Sequence, residues 1–299
     1  MRWLKPLPLR PRDTVHIVAP AGPFDPPTFE TGLGVLGRRY SPTYQPDLYE
    51  SWRYLAGPDA RRGAELSRAL TDPNARAIFC ARGGYGVMRL LPSLPLADMA
   101  PTALVGFSDI TALHLPLQGL GRVTIHGPVV THLGTQPPEV QEYLFRLLES
   151  PEAPPPLQGT ATYVPGIAEG RLLGGNLSVL SRLLGTPYMP PLDGAILLLE
   201  DVGERPYRLD RIWTHLLLAG VFDKVSGLVL GQFTDCEQKG APYSSADVLR
   251  SLAEEAGVPC AAGFPIGHDI PNYPVALGTQ VRLDASAARL TFLEGAVQA

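Results

Sequence analysis

A chain of 299 residues with 45% hydrophobic side chains is long enough for two units of roughly 150 residues, each with its own core. A formal charge of -4 without a basic stripe argues against a nucleic-acid partner, and the absence of a long apolar run argues against a membrane span. The opening MRWLKPLPLRPR is basic but runs into prolines and an arginine where a secretory signal needs an apolar stretch, so a cytoplasmic location is expected.

Val15 to Ala19 reads as a first strand closed by Pro20-Ala21-Gly22-Pro23, and Phe29 to Arg39 has helical spacing with Leu33 and Leu36 on one side. Asp59 is placed to cap a helix through Leu70, which Thr71-Asp72-Pro73-Asn74 ends in a turn. Ala77 to Ala81 reads as a buried strand breaking at Arg82-Gly83-Gly84-Tyr85-Gly86, where three glycines let backbone N–H groups converge. Thr102 to Val105 is a second such strand. It turns at Gly106-Phe107-Ser108-Asp109 into a helix carrying Ile110, Leu113 and Leu117. Val123 to His126 adds another strand, and Pro138 to Leu148 is an amphipathic helix. Alternation of this kind predicts an α/β unit with a mostly parallel sheet.

Ser150 to Gly159, with four prolines in ten residues, reads as a linker that neither forms a helix nor pairs in a sheet. It divides the chain into units expected over 1–155 and 160–299. In the second, smaller unit, Gly174-Gly175-Asn176 opens a helix through Leu184, and a strand from Ala195 to Leu199 ends at Glu200-Asp201. A helix over Arg208 to Leu218, a strand over Leu228 to Leu230 and a helix over Ala246 to Ala256 follow. Val281 to Leu283 and Leu290 to Phe292 suggest a closing hairpin. Cys80, Cys236 and Cys260 have no paired spacing for zinc or a disulfide framework and are expected to be buried thiols.

Ser108 follows the C-terminal end of a strand, where open α/β sheets place their chemistry. Two readings fit it: a nucleophile elbow lacking the second glycine of G-x-S-x-G, or a plain helix cap. An attacking serine needs a base and a group that orients the base. Among six histidines, His114 lies too far along the helix of Ser108, while His16 and His215 have apolar neighbours. His126 ends a strand of the same unit, His132 follows it in a loop, and His268 stands in the exposed-looking loop GFPIGHDIPN. Glu200 ends an apolar run. Local pattern alone therefore leaves Ser108, Glu200 and either His268 or His126.

The segments RGGYG (82–86), GFSD (106–109), HGP (126–128), GGNL (174–177), LLLED (197–201), RLDR (208–211) and GFPIGH (263–268) occur in the order that resembles the LD-carboxypeptidase family of serine peptidases. The resemblance spans nearly the whole chain. It implies an N-terminal α/β domain joined to a smaller, barrel-like C-terminal α/β domain, with the site between them. Carried over, it implies Ser108 as nucleophile, His268 as general base, Glu200 as its orienting carboxylate, and the N–H groups of Gly84 and Asp109 as an oxyanion hole. His126 then becomes structural. The implied substrate is a murein tetrapeptide that loses its terminal D-alanine, or, in the immunity enzymes of the family, a peptidyl-nucleotide antibiotic. A homodimer is implied, and neither cofactor nor metal. Arg82, Arg205 and Arg208 are candidates for the terminal carboxylate, with Tyr85 and Asn176 as further substrate contacts. Asn176 either caps a helix or serves the site, and Asn272 either forms a turn or braces the loop of His268. A phosphate-cradling reading of RGGYG is disfavoured because Tyr85 replaces an acidic residue and no Walker-type lysine follows.

Overall fold

The structure, a computed structural model, describes residues 3–299. Strands β1 (Thr14–Val18), β2 (Ser41–Thr43), β3 (Ala77–Cys80), β4 (Ala103–Gly106) and β5 (Thr124–His126) run parallel. Helices α1 (Pro26–Gly37), α2 (Asp59–Thr71) and α3 (Thr111–Gly119) connect them, followed by α4 (Val130–Leu133) and α5 (Pro138–Glu149). Every residue of β3 and β4 is buried, as strands covered on both faces require. Their side chains alternate between two cores. Ala77, Phe79, Ala103 and Val105 face one with Leu36 and Leu144, while Ile78, Cys80 and Leu104 face another with Leu113, Leu197 and Leu199. That second core is shared by both halves of the chain.

The later elements are β6 (Leu157–Gln158), β7 (Ala161–Val164), β8 (Ile167–Asn176), α6 (Leu177–Leu183), β9 (Ile196–Val202), α7 (Pro206–Leu218), β10 (Gly227–Thr234) and α8 (Ser245–Ala256). Then come β11 (Cys260–Ala262), β12 (Val275–Leu277), β13 (Gln280–Asp284) and β14 (Arg289–Phe292). An eight-stranded sheet has the order β6-β14-β13-β8-β9-β10-β11-β7. Its two outermost strands are joined only by Gly159 and Thr160, whose N–H groups donate to Ala288 O and Ala262 O. A sheet whose ends are chain neighbours must curl, giving the barrel-like form.

Several elements differ from the sequence reading. The proline-rich segment does pair, because Leu157–Gln158 lies against β14. Gly174-Gly175-Asn176 ends a ten-residue strand before opening α6. Glu200 is inside β9 rather than past its end. Asp59 does not cap α2; its carboxylate binds Arg62 and Arg89 instead. His132 stands in a short helix, not a loop. β12 leaves the second sheet altogether and pairs antiparallel with β5, completing a six-stranded sheet of order β12-β5-β4-β3-β1-β2. The hairpin β13–β14 is present, and all three cysteines are buried and free.

Candidate active site

β4 carries the chain to Gly106, and two residues later Ser108 takes φ +63°, a left-handed conformation that L residues avoid. A bulky backbone state of this kind costs about 1–3 kcal/mol and persists only where the surroundings impose it. Ser108 opens a single 3₁₀ turn, Ser108–Ile110, that leads into α3, and no side chain caps that turn. The helix-cap reading is thereby excluded. The backbone instead bends sharply and leaves Ser108 half-buried at the end of the parallel sheet.

The loop after β3 lies directly against it. A Cβ on Gly83 would stand 2.8 Å from Cβ and 3.0 Å from Oγ of Ser108, so only glycine permits this approach. Gly84 follows at φ +113°, and its N–H has no hydrogen-bond partner among the described residues. Gly83 O accepts from Gly22 N–H at 3.1 Å, tying the loop to the one after β1. Arg82 and Tyr85 are exposed. Arg82 Nη1 donates to Pro23 O at 3.1 Å, and the Tyr85 ring rests on Tyr54 with centroids 5.9 Å apart.

From the other half of the chain, β9 supplies Glu200, which has no solvent exposure, and the loop after β11 supplies His268. His268 Nδ1 lies 2.7 Å from Glu200 Oε2. With a carboxylate as acceptor, Nδ1 carries the proton and Nε2 is left to exchange one. Burial pushes the imidazole pKa down, but the hydrogen bond and charge of Glu200 outweigh it, and the net shift is upward. The loop of His268 is held by Asn272, whose Oδ1 accepts from Gly267 N–H at 3.0 Å and whose own N–H donates to Gln136 Oε1 at 2.8 Å. Asp269 N–H donates to Gln232 Oε1 at 2.9 Å.

Phe107 connects the halves. Its ring lies 4.7 Å from that of His268, 5.2 Å from His132 and 6.0 Å from His126. The residue before Ser108 therefore packs against the His268 ring, without a hydrogen bond between Ser108 Oγ and His268 Nε2 here. Looser geometry of this kind is common before substrate binds. Beside His268 opens a cleft of about 350 Å³ lined by Arg82, Asp25, Thr28, Thr131, His132 and Ile270, among others. His126 is fully buried, and burial holds its pKa well below the usual range, so it is a neutral wall residue.

Other candidates lie elsewhere. Arg205 and Arg208 begin α7 and do not line the cleft; Arg208 reaches Glu204 at 3.6 Å and Tyr207 Oη at 3.2 Å. Asn176 is buried with its side chain engaged at both ends. Oδ1 caps α6 through Val179 N–H at 3.1 Å, and Nδ2 donates to Asp201 Oδ1 at 3.1 Å. Burial raises the Asp201 pKa to about 6 despite its donors from Ser178 and Asn176. Phe107 and Gln136 are not singled out by the sequence, and His132 enters it only as a loop histidine, since nothing in local spacing signals a contact made across the two sheets.

Models of the LD-carboxypeptidase N-terminal and C-terminal domains match residues 15–127 and 169–283. The murein tetrapeptide carboxypeptidase of Pseudomonas aeruginosa is 36% identical over 254 residues, covering 80% of this chain and 82% of that protein. The microcin C7 self-immunity protein MccF of Escherichia coli is 28% identical, covering 81% and 80%. The crystal structure of muramoyltetrapeptide carboxypeptidase from Oxalobacter formigenes superposes with a TM-score of 0.85 at 28% identity, covering 96% of this chain and all of that one. MccF bound to glutamyl sulfamoyl guanosine gives 0.89 at 24% identity, covering 99% of this chain and all of that one, a likeness of fold. With both domain models matched in order and relatives aligned over most of its length, the chain belongs to the LD-carboxypeptidase family of serine peptidases.

Proposed function

We propose that this enzyme hydrolyses the amide bond between an L-centre and the terminal D-alanine of a murein tetrapeptide. The observation that carries the reading is the His268–Glu200 pair at 2.7 Å, its imidazole packed on Phe107, the residue that precedes a serine forced to φ +63°. Ser108 Oγ attacks the carbonyl carbon while His268 Nε2 takes its proton. The proton then passes to the departing amine, and water repeats the sequence on the Ser108 ester. The N–H groups of Gly84 and Asp109 receive the oxyanion, each such donor contributing ~3 kcal/mol of transition-state stabilisation. Glu200 keeps the imidazole in the required tautomer.

Of the three candidate arginines, Arg82 is the one that shares a cleft with His268, which favours it as the partner of the terminal carboxylate. Tyr85, exposed on the same loop, borders the substrate. The names of the Pseudomonas and Oxalobacter relatives support a murein substrate. A place in cell-wall recycling in the cytoplasm and a homodimeric state rest on the family resemblance. No helix among the described residues is long and apolar enough to cross a membrane. The division into domains over 1–155 and 160–299 is part of the same proposal, with β12 as a strand the second unit lends to the first sheet.

Product analysis by mass spectrometry on L,D-linked tetrapeptides, D,D-linked pentapeptides and an aminoacyl-sulfamoyl adenylate tests the reading. Release of D-alanine from the tetrapeptide alone is expected. Preferential cleavage of the adenylate would reassign the enzyme to the immunity type. Wild-type turnover in Ser108→Ala would remove the serine mechanism itself.

A further inference from the structure

The peptide unit joining Gly86 to Val87 is gripped from both of its polar ends. Its carbonyl, Gly86 O, accepts from Arg62 Nη1 at 3.1 Å. Its N–H, on Val87, donates to Asp109 Oδ2 at 2.9 Å. Arg62 has no solvent exposure, Asp109 is 2% exposed and Val87 has none, so all three groups are out of water. A buried guanidinium is costly unless its donors are used, and here they are. Arg62 also donates to Gly57 O at 3.2 Å, to Pro20 O and to Asp59 Oδ1, with Asp59 held in turn by Arg89. One side chain of α2 thus ties together the loop after β1, the turn before α2 and the loop after β3.

The position of this clamp in the chain gives it a use. Two residues upstream is Gly84, the oxyanion donor of the proposed mechanism, and three upstream is Gly83, seated on Ser108. Asp109 directly follows Ser108 and supplies the second oxyanion donor from its own N–H. We infer that Arg62 and the Asp109 carboxylate are positioning residues that lock the Gly86–Val87 peptide and so hold both oxyanion donors in register with Ser108. Asp109 thereby works twice, its backbone facing the reacting carbonyl and its side chain fixing the opposite wall. The inference rests on the serine-peptidase reading of the site. Neither side chain reaches the substrate. Their effect passes through the Gly83–Gly86 loop, whose glycines give it no side-chain anchors of its own apart from Tyr85.

The test compares Arg62→Lys, Asp109→Asn and Asp109→Ala with wild type and with Ser108→Ala, each checked for folding by circular dichroism and melting. A lysine keeps the charge but cannot span the carbonyls that the guanidinium fork reaches. Arg62→Lys and Asp109→Ala should lower kcat on the order of tenfold or more with KM within about twofold, as expected for a displaced oxyanion donor. Asp109→Asn, whose amide oxygen can still accept from Val87 N–H, should recover most of that loss. A peptide aldehyde, whose adduct with Ser108 carries the oxyanion, should weaken by the same factor as kcat/KM while the affinity for product peptide stays unchanged. Wild-type kcat in folded Arg62→Lys and Asp109→Ala would overturn the inference. So would an Asp109→Asn as impaired as Asp109→Ala, or equal weakening of aldehyde and product. Activity surviving in Ser108→Ala would instead strike at the serine mechanism, which keeps the two failures apart.

Discussion

His268 Nδ1 and Glu200 Oε2, contributed by a loop and by the interior of strand β9, lie 2.7 Å apart with Glu200 shut off from solvent. Replacing Glu200 by Gln keeps the shape and removes the charge. The amide can present its NH₂ to Nδ1, which reverses the tautomer, and kcat should fall roughly 10³-fold or more. The pH profile should move as well. His268 must be neutral to accept a proton, so activity is lost as pH falls through its pKa, which Glu200 holds above the ordinary value of 6.5. In Glu200→Gln, burial is opposed only by the weaker charges of Asp201 and Asp269, and the acid limb should shift to lower pH. Measuring kcat/KM from pH 5 to 9 checks both outcomes, and an unmoved limb would count against the pairing.

Gly83 offers a test of packing without backbone strain. Its φ lies outside the left-handed range, so alanine fits the backbone, yet the new methyl would stand 2.8 Å from Ser108 Cβ. Gly83→Ala should melt within a few degrees of wild type while kcat drops on the order of tenfold or more, since misplacing reacting groups by a fraction of an ångström is costly. Kinetics with substrate, paired with a melting curve, separates this from general damage.

Asn176 lies between a helix terminus and a carboxylate, and the two contacts respond differently to Asp. Asn176→Asp retains an acceptor for Val179 N–H but sets a second carboxylate about 3 Å from Asp201. Asp201 already titrates near pH 6. The variant should therefore lose more melting temperature at pH 8, where both groups are ionised, than at pH 5. A deficit independent of pH would show that the charge pair is not the cause.

His114 sets a limit on acid stability. Buried on α3, with Nε2 bonded to Gly106 O at 2.8 Å, its imidazole is pushed down to about 4 chiefly by burial. The unfolded chain binds a proton near pH 6.5 that the folded chain refuses until about pH 4, so stability falls as pH drops through that window. The contribution is roughly 3 kcal/mol at most. His114→Gln, which can still donate to Gly106 O, should flatten the melting temperature between pH 6.5 and 4. Wild-type steepness in the variant would assign the effect to other groups such as His126.

Ser108 was visible in the sequence because a short apolar strand ending in glycine announces its own C-terminal edge. Its conformation was not, since cap and elbow share the same residue types and differ only in φ. Glu200 and His268 stand 68 positions apart, and no local period links them. Only the ordered family segments did so. Strands β2, β6, β7, β8, β11 and β12 lie outside the sequence reading, four of them for separate reasons: β6 has a proline-rich flank, β7 a solvent-facing edge, β8 a glycine-broken pattern, and β12 a pairing partner nearly 150 residues away. Asn272 reads in the sequence as either a turn residue or a brace for the loop of His268, and its Oδ1 accepts from Gly267 N–H in that loop.

The antiparallel seating of β12 beside β5 bears on how the chain is made. The edge of the first sheet that carries His126 stays uncovered until Val275–Leu277, nearly 150 residues further along, has left the ribosome. An amino-terminal portion cut at the proline-rich segment would present that open edge as a template for other strands. Strand β12 thus seals the far edge of the parallel sheet, and the loop that carries His268 lies only a few residues upstream of that seal.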